Sequence, residues 1–238
     1  MMRTLLFCLS IFVLVGCQAD VDSNDYFPMN EGLVWRYQVT EELTDKKIER
    51  EFSLKNLGSV ELGGDYSDLP VFRRRTSDGT DYYILQDDAG TERIALRTLV
   101  ETAPRFDVEP RKVLPAVRDI EVGRSWTTET RVYAIHSPPA YSLTAPEGKE
   151  LSMNFEITSV DDEVNVLAGT FTRCIRVEGI ANLTLYADAR LGYVDVPVSQ
   201  TEWYAPGVGL VKLVREEPLN VEMFKGGKVS FELIDFEK

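Results

Sequence analysis

The sequence predicts a mainly β fold, a large curved antiparallel sheet with a half-barrel or barrel-like shape, on three observations. Almost every segment after residue 25 alternates apolar and polar residues with period two, the pattern of half-buried strands. Turn residues such as Asp78-Gly79 separate these segments by short links, which favours antiparallel pairing because parallel strands need long crossovers. No segment shows a sustained helical period with caps, so few short helices are expected.

The first strand is expected around Trp35, because Trp35, Tyr37 and Val39 share one face and polar residues share the other. Reversals are expected at Asp78-Gly79, Ala89-Gly90, Gly207 and Gly226-Gly227, whose residues tolerate positive φ. Further strands are expected over residues 47–54, 71–75, 81–86, 93–99, 124–135, 151–160, 171–178, 182–190, 193–204, 210–215 and 228–236.

Three segments are open to other interpretations. Residues 91–100 also fit a short helix, and the proline-marked segments 102–115 and 137–146 are expected to be long loops, which are often functional. The run Arg73-Arg74-Arg75 precedes acidic residues and is expected to form a solvated hairpin edge that discourages edge pairing.

The strand-rich part, residues 26–238, is expected to form one β domain with two related halves, 26–115 and 116–238. In each half a proline is followed by a glycine turn and then by a tryptophan that enters a long strand. Pro28 precedes Gly32 and Trp35 in the first half, and Pro115 precedes Gly123 and Trp126 in the second. Chance similarity is the alternative explanation of this pairing.

The first sixteen residues have the three parts of a secretory signal peptide. Arg3 gives a positive start, an apolar run extends from Leu5 to Val15, and small Gly16 follows. The run is too short to span a bilayer as a stable helix. Small and polar residues then continue to Asp25, so residues 17–25 are expected to form a tether.

Leu14-Val15-Gly16-Cys17 resembles the lipobox of bacterial lipoproteins, at the border between the apolar leader and a polar segment. The resemblance implies that the leader is cleaved before Cys17 and that acyl chains such as palmitate are attached there. A lipid anchor of this kind holds a protein on a membrane at about 0.8 kcal/mol per buried methylene. Gln18 in place of an aspartate implies, by the same resemblance, the outer membrane and a domain facing the periplasm.

Charge and cysteine content narrow the class of protein further. The net charge is −13, and cleavage of the leader would remove Arg3 but no acidic residue. Such a surface repels nucleic acid and anionic headgroups, so no nucleic-acid partner is expected. Because Cys8 leaves with the leader and Cys17 is acylated, Cys174 is the one remaining thiol and an intramolecular disulfide is excluded. Period two predicts that Cys174 is half-buried.

Four aromatic residues are candidates for a ligand site on the concave face of the sheet: Trp35, Tyr37, Trp126 and Trp203. Aromatic rings combine an apolar body with a polar edge and commonly line pockets. The alternative is that these rings fill the core of a curved sheet.

No residue is assigned a catalytic role, and no cofactor or metal is expected. His136 is the only histidine and lies beside Ser137-Pro138 in a predicted loop, without a nucleophile motif. A zinc site needs several His or Cys ligands. The clusters Asp87-Asp88 and Asp161-Asp162-Glu163 are the candidates for calcium, but neither has the spacing of a calcium loop, and aspartate is common in turns.

A second resemblance rests on residues 25–37, on residues 202–212 and on Ala168-Gly169-Thr170-Phe171. These blocks resemble a broad group of bacterial envelope lipoproteins similar in architecture to the Lol lipoprotein carriers. The resemblance implies a half-barrel whose concave face can hold acyl chains.

The expected function is therefore that of a membrane-anchored, non-enzymatic β domain that binds an apolar ligand or a partner in the cell envelope. A structural or assembly factor that pairs with another envelope protein is the alternative. A hydrolase built around His136 is a remote third.

Overall fold

A computed structural model describes residues 24–138 and 149–238. Twelve strands form one antiparallel sheet in which neighbours in the chain pair with each other, except β6 and β7, and β1 pairs in addition with β12. The strands are β1 Val34–Leu43, β2 Lys47–Ser59, β3 Val71–Thr76, β4 Asp81–Asp87, β5 Gly90–Arg97, β6 Arg105–Pro115, β7 Ser125–Arg131, β8 Glu150–Val166, β9 Gly169–Asp188, β10 Gly192–Ala205, β11 Gly209–Asn220 and β12 Lys225–Glu237.

The sheet curls into a nearly closed barrel, which confirms the predicted fold class. Strands β1 to β6 and β7 to β12 form two meanders that are joined by the pairing of β1 with β12. The two edge strands of the sheet, called its outer strands below, are β6 and β7. These two strands lie side by side without forming a ladder in the part of the chain that the structure describes. An ion pair from Arg111 of β6 to Glu150 of β8, 2.7 Å long, bridges this seam. The relation between the two halves stays a prediction.

Helical structure in the described ranges consists of two single 3-10 turns, Gly64–Tyr66 and Val117–Asp119. The first lies in the connection between β2 and β3, where Val60, Leu62 and Tyr66 cover the outer face of the sheet beside Val71 and Tyr83. Among the described residues, no helix has the length and apolar character needed to cross a membrane.

The short helix considered for residues 91–100 and the long loop predicted for 102–115 were both wrong. Residues 90–97 form β5 and residues 105–115 form β6, which pair with each other. Pairing on both sides of β5 overrides its local helical pattern. Pro110 is accommodated because β6 is an outer strand, where a missing N–H group breaks no ladder. Of the loop predicted for 137–146, residues 139–146 lie outside the described residues.

The predicted break between strands at residues 178 and 182 was also wrong, since β9 runs without interruption through Gly179. A side chain at Gly179 would lie 2.6 Å from the ring of Phe155 and 2.8 Å from the sulfur of Met153. The glycine therefore serves close packing of the neighbouring strand β8 rather than a turn.

Glycine at residues 226 and 227 also permits a close approach instead of the predicted reversal. Both residues lie in β12, and neither has a positive φ. Gly79, Gly90 and Gly207, at the other predicted reversals, do have a positive φ. A Cβ atom on Gly226 would lie 2.0 Å from the carbonyl oxygen of Glu217, and one on Gly227 would lie 2.3 Å from that of Glu42. The backbones of β1, β11 and β12 therefore approach one another closely at this end of the barrel.

The three arginines of β3 do not form an edge, because β3 lies inside the sheet between β2 and β4. Arg75 instead binds the fully buried carboxylate of Asp81 at 2.6 Å, and Arg97 of β5 binds the same carboxylate at 2.6 Å. Arg74 points to the opposite face and is buried in the barrel.

We expect Asp81 to make the folded state sensitive to acid. Burial tends to raise the pKa of Asp81, but the hydrogen bonds and charges of Arg75 and Arg97 outweigh burial and lower this pKa below its usual value. A carboxylate with a lowered pKa contributes stability that is present at neutral pH and is lost as the pH falls from about 4 through the folded-state pKa. The Asp81→Asn protein should therefore lose stability at pH 7 and show a flatter pH dependence of its Tm below pH 4.

The control for this prediction is Asp68→Asn, which changes an exposed aspartate in the connection between β2 and β3. Thermal unfolding followed by circular dichroism between pH 2 and 7 compares the variants. An Asp81→Asn protein whose Tm falls with acid as steeply as that of the wild type would contradict the assignment.

Candidate ligand-binding cavity

The interior of the barrel contains a cavity of about 500 Å³. Its walls come from the inward faces of β1, β2, β4, β11 and β12, and most of the lining is aromatic or aliphatic. Representative lining residues are Phe52, Leu54, Ile84, Leu213, Val229 and Phe231. A volume of this size falls within the range of about 300–1,000 Å³ found for small-molecule sites.

Two of the predicted site residues, Trp35 and Tyr37, line this cavity. They lie on the same face of β1 because alternate residues of a strand point to the same side. The indole N–H of Trp35 donates to the carbonyl oxygen of Val208 at 2.7 Å, and the hydroxyl of Tyr37 donates to that of Leu210 at 2.8 Å. Burial raises the pKa of Tyr37, so the phenol stays neutral. Both rings thus present apolar surface to the cavity, with their polar atoms paired.

Trp126, the third predicted residue, lines a smaller neighbouring cavity of about 160 Å³ and stacks on Phe155 with ring centroids 5.8 Å apart. Its indole N–H and the hydroxyl of Thr128 are buried without a hydrogen-bond partner among the described residues. The two cavities share Arg93, Val113 and Tyr133 in their linings. The smaller cavity therefore continues the larger one and presents polar groups that water or a ligand can bind.

Trp203, the fourth predicted residue, lines neither cavity. Its neighbours Glu202 and Tyr204 face the interior, so the two-residue period of β10 places Trp203 on the opposite face. There its indole N–H donates to the carboxylate of Asp162 at 3.2 Å. Trp203 is therefore part of the packing on the other side of the sheet.

Arg74 is a lining residue that the sequence interpretation missed. It is 8% exposed, and its guanidinium lies over the ring of Phe27 at 4.3 Å and over that of Trp35 at 4.6 Å from the centroids. Its Nε donates to Asn56 at 2.8 Å and its Nη2 to the carbonyl oxygen of Pro28 at 3.0 Å. Burial lowers the pKa of Arg74 to about 10, so the side chain keeps its positive charge at neutral pH.

Residues 25–33 close the end of the barrel that holds Arg74. The carbonyl oxygen of Asp25 accepts a hydrogen bond from the N–H of Gly207, and that of Phe27 accepts one from the side chain of Gln86. Buried Asn56 donates to the carbonyl oxygens of Pro28 and Asn30 at 3.0 and 3.1 Å. These bonds tie the segment to both halves of the sheet.

Residues 132–136, which follow β7, lie inside the barrel at its other end. The carboxylate of Glu217 accepts hydrogen bonds from the backbone N–H groups of Tyr133, Ala134 and Ile135 at 2.7 to 3.1 Å. His136 then pairs with Lys225 of β12 through two backbone hydrogen bonds of 2.9 Å. A single buried carboxylate therefore holds three consecutive backbone donors inside the barrel.

A buried polar network continues from Glu217 along the inner wall. Arg215 donates to Glu217 at 2.7 Å and to the side-chain oxygen of Gln200 at 2.7 Å, and both residues of the ion pair are fully buried. Gln200 and Tyr204 in turn donate to the carboxyl group of Glu202 at 2.5 and 2.6 Å. Burial raises the pKa of Glu202 despite these bonds, which favours the uncharged carboxyl form.

His136 does not occupy an exposed loop, as the sequence suggested, but a partly buried bridge. Its Nδ1 lies 3.1 Å from the carbonyl oxygen of Ala134, and its Nε2 lies 3.3 Å from a carboxylate oxygen of Asp45. Neither contact involves a hydroxyl group, so the geometry does not assemble a nucleophile, a base and an acid.

The acidic clusters considered for calcium serve local structure instead. Asp87 accepts a hydrogen bond from the N–H of Ala89 in the turn before β5, and Asp162 accepts one from Ser159. Within residues 24–138 and 149–238, no three His, Cys, Asp or Glu side chains are grouped so that they could hold a metal ion.

Cys174 is fully buried rather than half-buried. Arg173 has a φ of 55°, which interrupts the alternation of β9 so that Cys174 and Ile175 are both buried. Burial raises the pKa of the thiol to about 11, which leaves it in the unreactive protonated form.

Cys17, the predicted lipid-attachment residue, lies outside the described residues, as do the leader and residues 17–23 of the tether.

No protein-family model matches the chain, and no curated protein matches it either. Among solved structures, a candidate lipoprotein from Parabacteroides distasonis is similar at a TM-score of 0.45 and 14% identity, over 92% of this chain and 100% of the other. A candidate exported protein with a YmcC-like fold from Bacteroides fragilis is similar at a TM-score of 0.38 and 15% identity, over 89% of this chain and 98% of the other. A protein of the DUF1329 family from Desulfovibrio piger is similar at a TM-score of 0.30 and 9% identity, over 87% of this chain and 84% of the other.

Proposed function

We propose that this chain is a lipid-anchored protein of the cell envelope whose barrel interior binds a predominantly apolar ligand without chemical conversion. The observation that carries the proposal is the cavity of about 500 Å³ in the interior of the barrel, which residues 25–33 cover at the end that holds Arg74. A folded protein gains dispersion energy by filling its interior, and large internal voids are few. A void of this size with an aromatic and aliphatic lining is the usual arrangement of a binding site.

The shape of the cavity favours an elongated ligand. Its lining runs along β1 from Trp35 to Glu41, which is six residues and roughly 20 Å at about 3.3 Å per residue. The acyl chains of one bilayer leaflet span roughly 15 Å, half of the hydrocarbon thickness. The end at Glu41 reaches the surface, because the side chain of Arg50, which pairs with Glu41 at 3.1 Å, is 48% exposed. A single acyl chain fits these dimensions.

The proposed location rests on the sequence around Cys17. An acylated Cys17 would anchor the domain to a membrane, and Gln18 favours the outer membrane with the domain facing the periplasm. Fractionation of cells that express Cys17→Ser tests this part of the proposal. The variant should move from the membrane fraction to the soluble fraction, and unchanged membrane association would contradict the anchor.

Binding of an apolar fluorescent probe tests the cavity itself. We expect N-phenyl-1-naphthylamine to increase in fluorescence when it binds to the exported chain that carries Cys17→Ser, in which no attached lipid competes. Leu54→Trp places a larger side chain in the cavity and should weaken probe binding at least tenfold, equal to about 1.4 kcal/mol.

The matched control is Lys55→Trp, which adds the same ring at the next, outward-facing and exposed position of β2. This variant should bind the probe as the wild type does. Equal weakening by both substitutions, or no saturable binding by the wild type, would contradict a ligand site inside the barrel.

A second candidate, an assembly factor that binds another envelope protein, is favoured by the outer strand β6. Near this strand, Leu99, Val100, Phe106 and Val108 are exposed apolar residues, and Val108 is completely exposed. A strand with one unpaired edge can add a strand from a partner. This function would be unaffected by Leu54→Trp, which leaves β6 intact, so the cavity-filling variant separates the two candidates.

A further inference from the structure

The inner end of the cavity carries a positive charge that forms no ion pair with a carboxylate of the described residues. Arg74 is absent from every ion pair within 4 Å in residues 24–138 and 149–238, whereas nearby Arg93 is paired with Asp107 at 2.8 Å. The carboxylate of Asp25 acts on Arg74 electrostatically without forming an ion pair within 4 Å. An unpaired charge in an apolar interior destabilises the folded state, so its presence calls for a reason.

The contacts of Arg74 account for only part of its hydrogen-bonding capacity. Nε and Nη2 are bonded to Asn56, to the carbonyl oxygen of Pro28 and, at 3.2 Å, to the sulfur of Met29. The rings of Phe27 and Trp35 stack on the guanidinium and stabilise its position. Nη1 donates to no group of the described residues, and Arg74 lines the cavity. The side chain is thus held rigidly while one charged nitrogen remains available.

We propose that Arg74 binds the negatively charged end group of a single-chain amphiphile, such as a long-chain carboxylate, whose apolar chain lies along the cavity towards Glu41 and Arg50. This inference rests on the proposed function and specifies its ligand class. An anionic group beside Nη1 forms a charge-assisted hydrogen bond and removes the uncompensated charge. An arginine held by fixed partners loses little side-chain entropy when it binds an anion.

The chain of such a ligand would contact Tyr37, Leu54, Phe52 and Phe231, which line the cavity beyond Arg74. A carboxylate and a phosphate monoester share the recognition chemistry, so both end groups are compatible with Arg74. A neutral end group of similar size would leave the guanidinium charge uncompensated and should bind more weakly.

Competition with the bound fluorescent probe tests the inference. Dodecanoate, dodecyl phosphate and dodecanol have the same chain and differ in their end groups. We expect the two anionic ligands to displace N-phenyl-1-naphthylamine from the wild-type cavity at concentrations at least tenfold lower than dodecanol. The lower of the two anionic concentrations identifies whether the end group is a carboxylate or a phosphate.

Variants of Arg74 attribute the preference to this residue. Arg74→Met should reduce the anion preference to less than threefold while dodecanol still competes, and Arg74→Lys should keep most of the preference because it keeps the charge. Lys55→Met is the matched control, since it removes an exposed positive charge from the outer face of β2. It should leave the preference unchanged.

The outcomes separate the inference from the proposed function. Equal competition by dodecanol and the anions in the wild type overturns the role of Arg74 but leaves a cavity that binds apolar ligands. Failure of every ligand and of the probe overturns both. If Arg74→Met does not fold, the comparison of the three ligands on the wild type still decides the question.

Discussion

The Glu217→Gln substitution is expected to lower the free energy of unfolding by about 3–5 kcal/mol, the usual cost of removing one partner of a buried ion pair. Glu217 and Arg215 are both fully buried and paired at 2.7 Å. A glutamine leaves the Arg215 charge without its counter-ion and turns a side-chain NH2 group towards backbone donors.

The loss should extend beyond the ion pair, because Glu217 also holds residues 133–135 inside the barrel. Without the carboxylate, the buried N–H groups of Ala134 and Ile135 and the partly buried N–H of Tyr133 lose an acceptor, and such losses are costly in a low-dielectric interior. Faster hydrogen exchange at Ala134 and Ile135 should therefore accompany the destabilisation. Urea unfolding monitored by circular dichroism measures the free energy.

Glu216→Gln is the matched control for this prediction. Glu216 is the neighbouring residue on the outer face of β11 and lies 3.9 Å from Lys228 in an exposed pair. Exposed pairs contribute little, so the change should stay below about 1 kcal/mol. Similar effects of the two substitutions would show that the buried network does not hold the segment after β7.

The Trp35→Ala substitution is expected to cost about 3–5 kcal/mol of stability, as is typical for the truncation of a buried aromatic residue. Trp35 is 2% exposed, packs on Phe236 at 5.4 Å between ring centroids, and stacks on Arg74. Its loss also leaves the carbonyl oxygen of Val208 without the indole donor. The same urea measurement gives the size of the effect.

Tyr193→Ala is the control for aromatic truncation on the outer surface. Tyr193 is 75% exposed and contacts the ring of Tyr186 at 5.4 Å between centroids. Surface substitutions of this kind change stability by about 0.5 kcal/mol or less. If Trp35→Ala lowered the free energy of unfolding no more than this control does, the packing of Trp35 would not stabilise the barrel around the cavity.

The sequence predicted the architecture well because one signal, period-two alternation, recurs through the whole chain. Trp35, Tyr37 and Val39 alternate along β1 with partly exposed polar residues, and turns at Gly79 and Gly207 have the positive φ that their sequence suggested. Local patterns failed where strand pairing decided the outcome. Residues 105–115 contain two prolines and resemble a loop, yet they pair with β5 as the outer strand of the sheet.

The candidate site was only partly predictable, since a sequence gives the face of a residue but not the position of its strand. The residue type and phase of Trp35 and Tyr37 indicated the face that lines the cavity, and their role in ligand binding stays a prediction. Arg74 was missed because a run of three arginines usually indicates a solvated surface. Because alternate residues of a strand point to opposite faces, Arg74 and its neighbour Arg75 were expected on opposite faces of the sheet. Only the position of β3 inside the sheet shows that the face of Arg74 is the barrel interior.

The buried network on the opposite wall of the barrel was not predicted at all. Arg215 and Glu217 occupy alternate positions of β11, in phase with Val211 and Leu213, so periodicity places them on a buried face. Charged residues are rarely buried, and nothing in the local sequence reveals that Glu217 meets the segment after β7. That pairing joins residues more than eighty positions apart.

A crystal structure of the protein grown with dodecanoate tests the central claim most directly, namely that the barrel interior is a ligand site. We expect density for one acyl chain along β1 between Trp35 and Glu41, with a carboxylate oxygen within about 3.2 Å of Nη1 of Arg74. Density for the ligand only on the outer face of the sheet, or an interior filled by protein side chains at saturating dodecanoate, would contradict the claim.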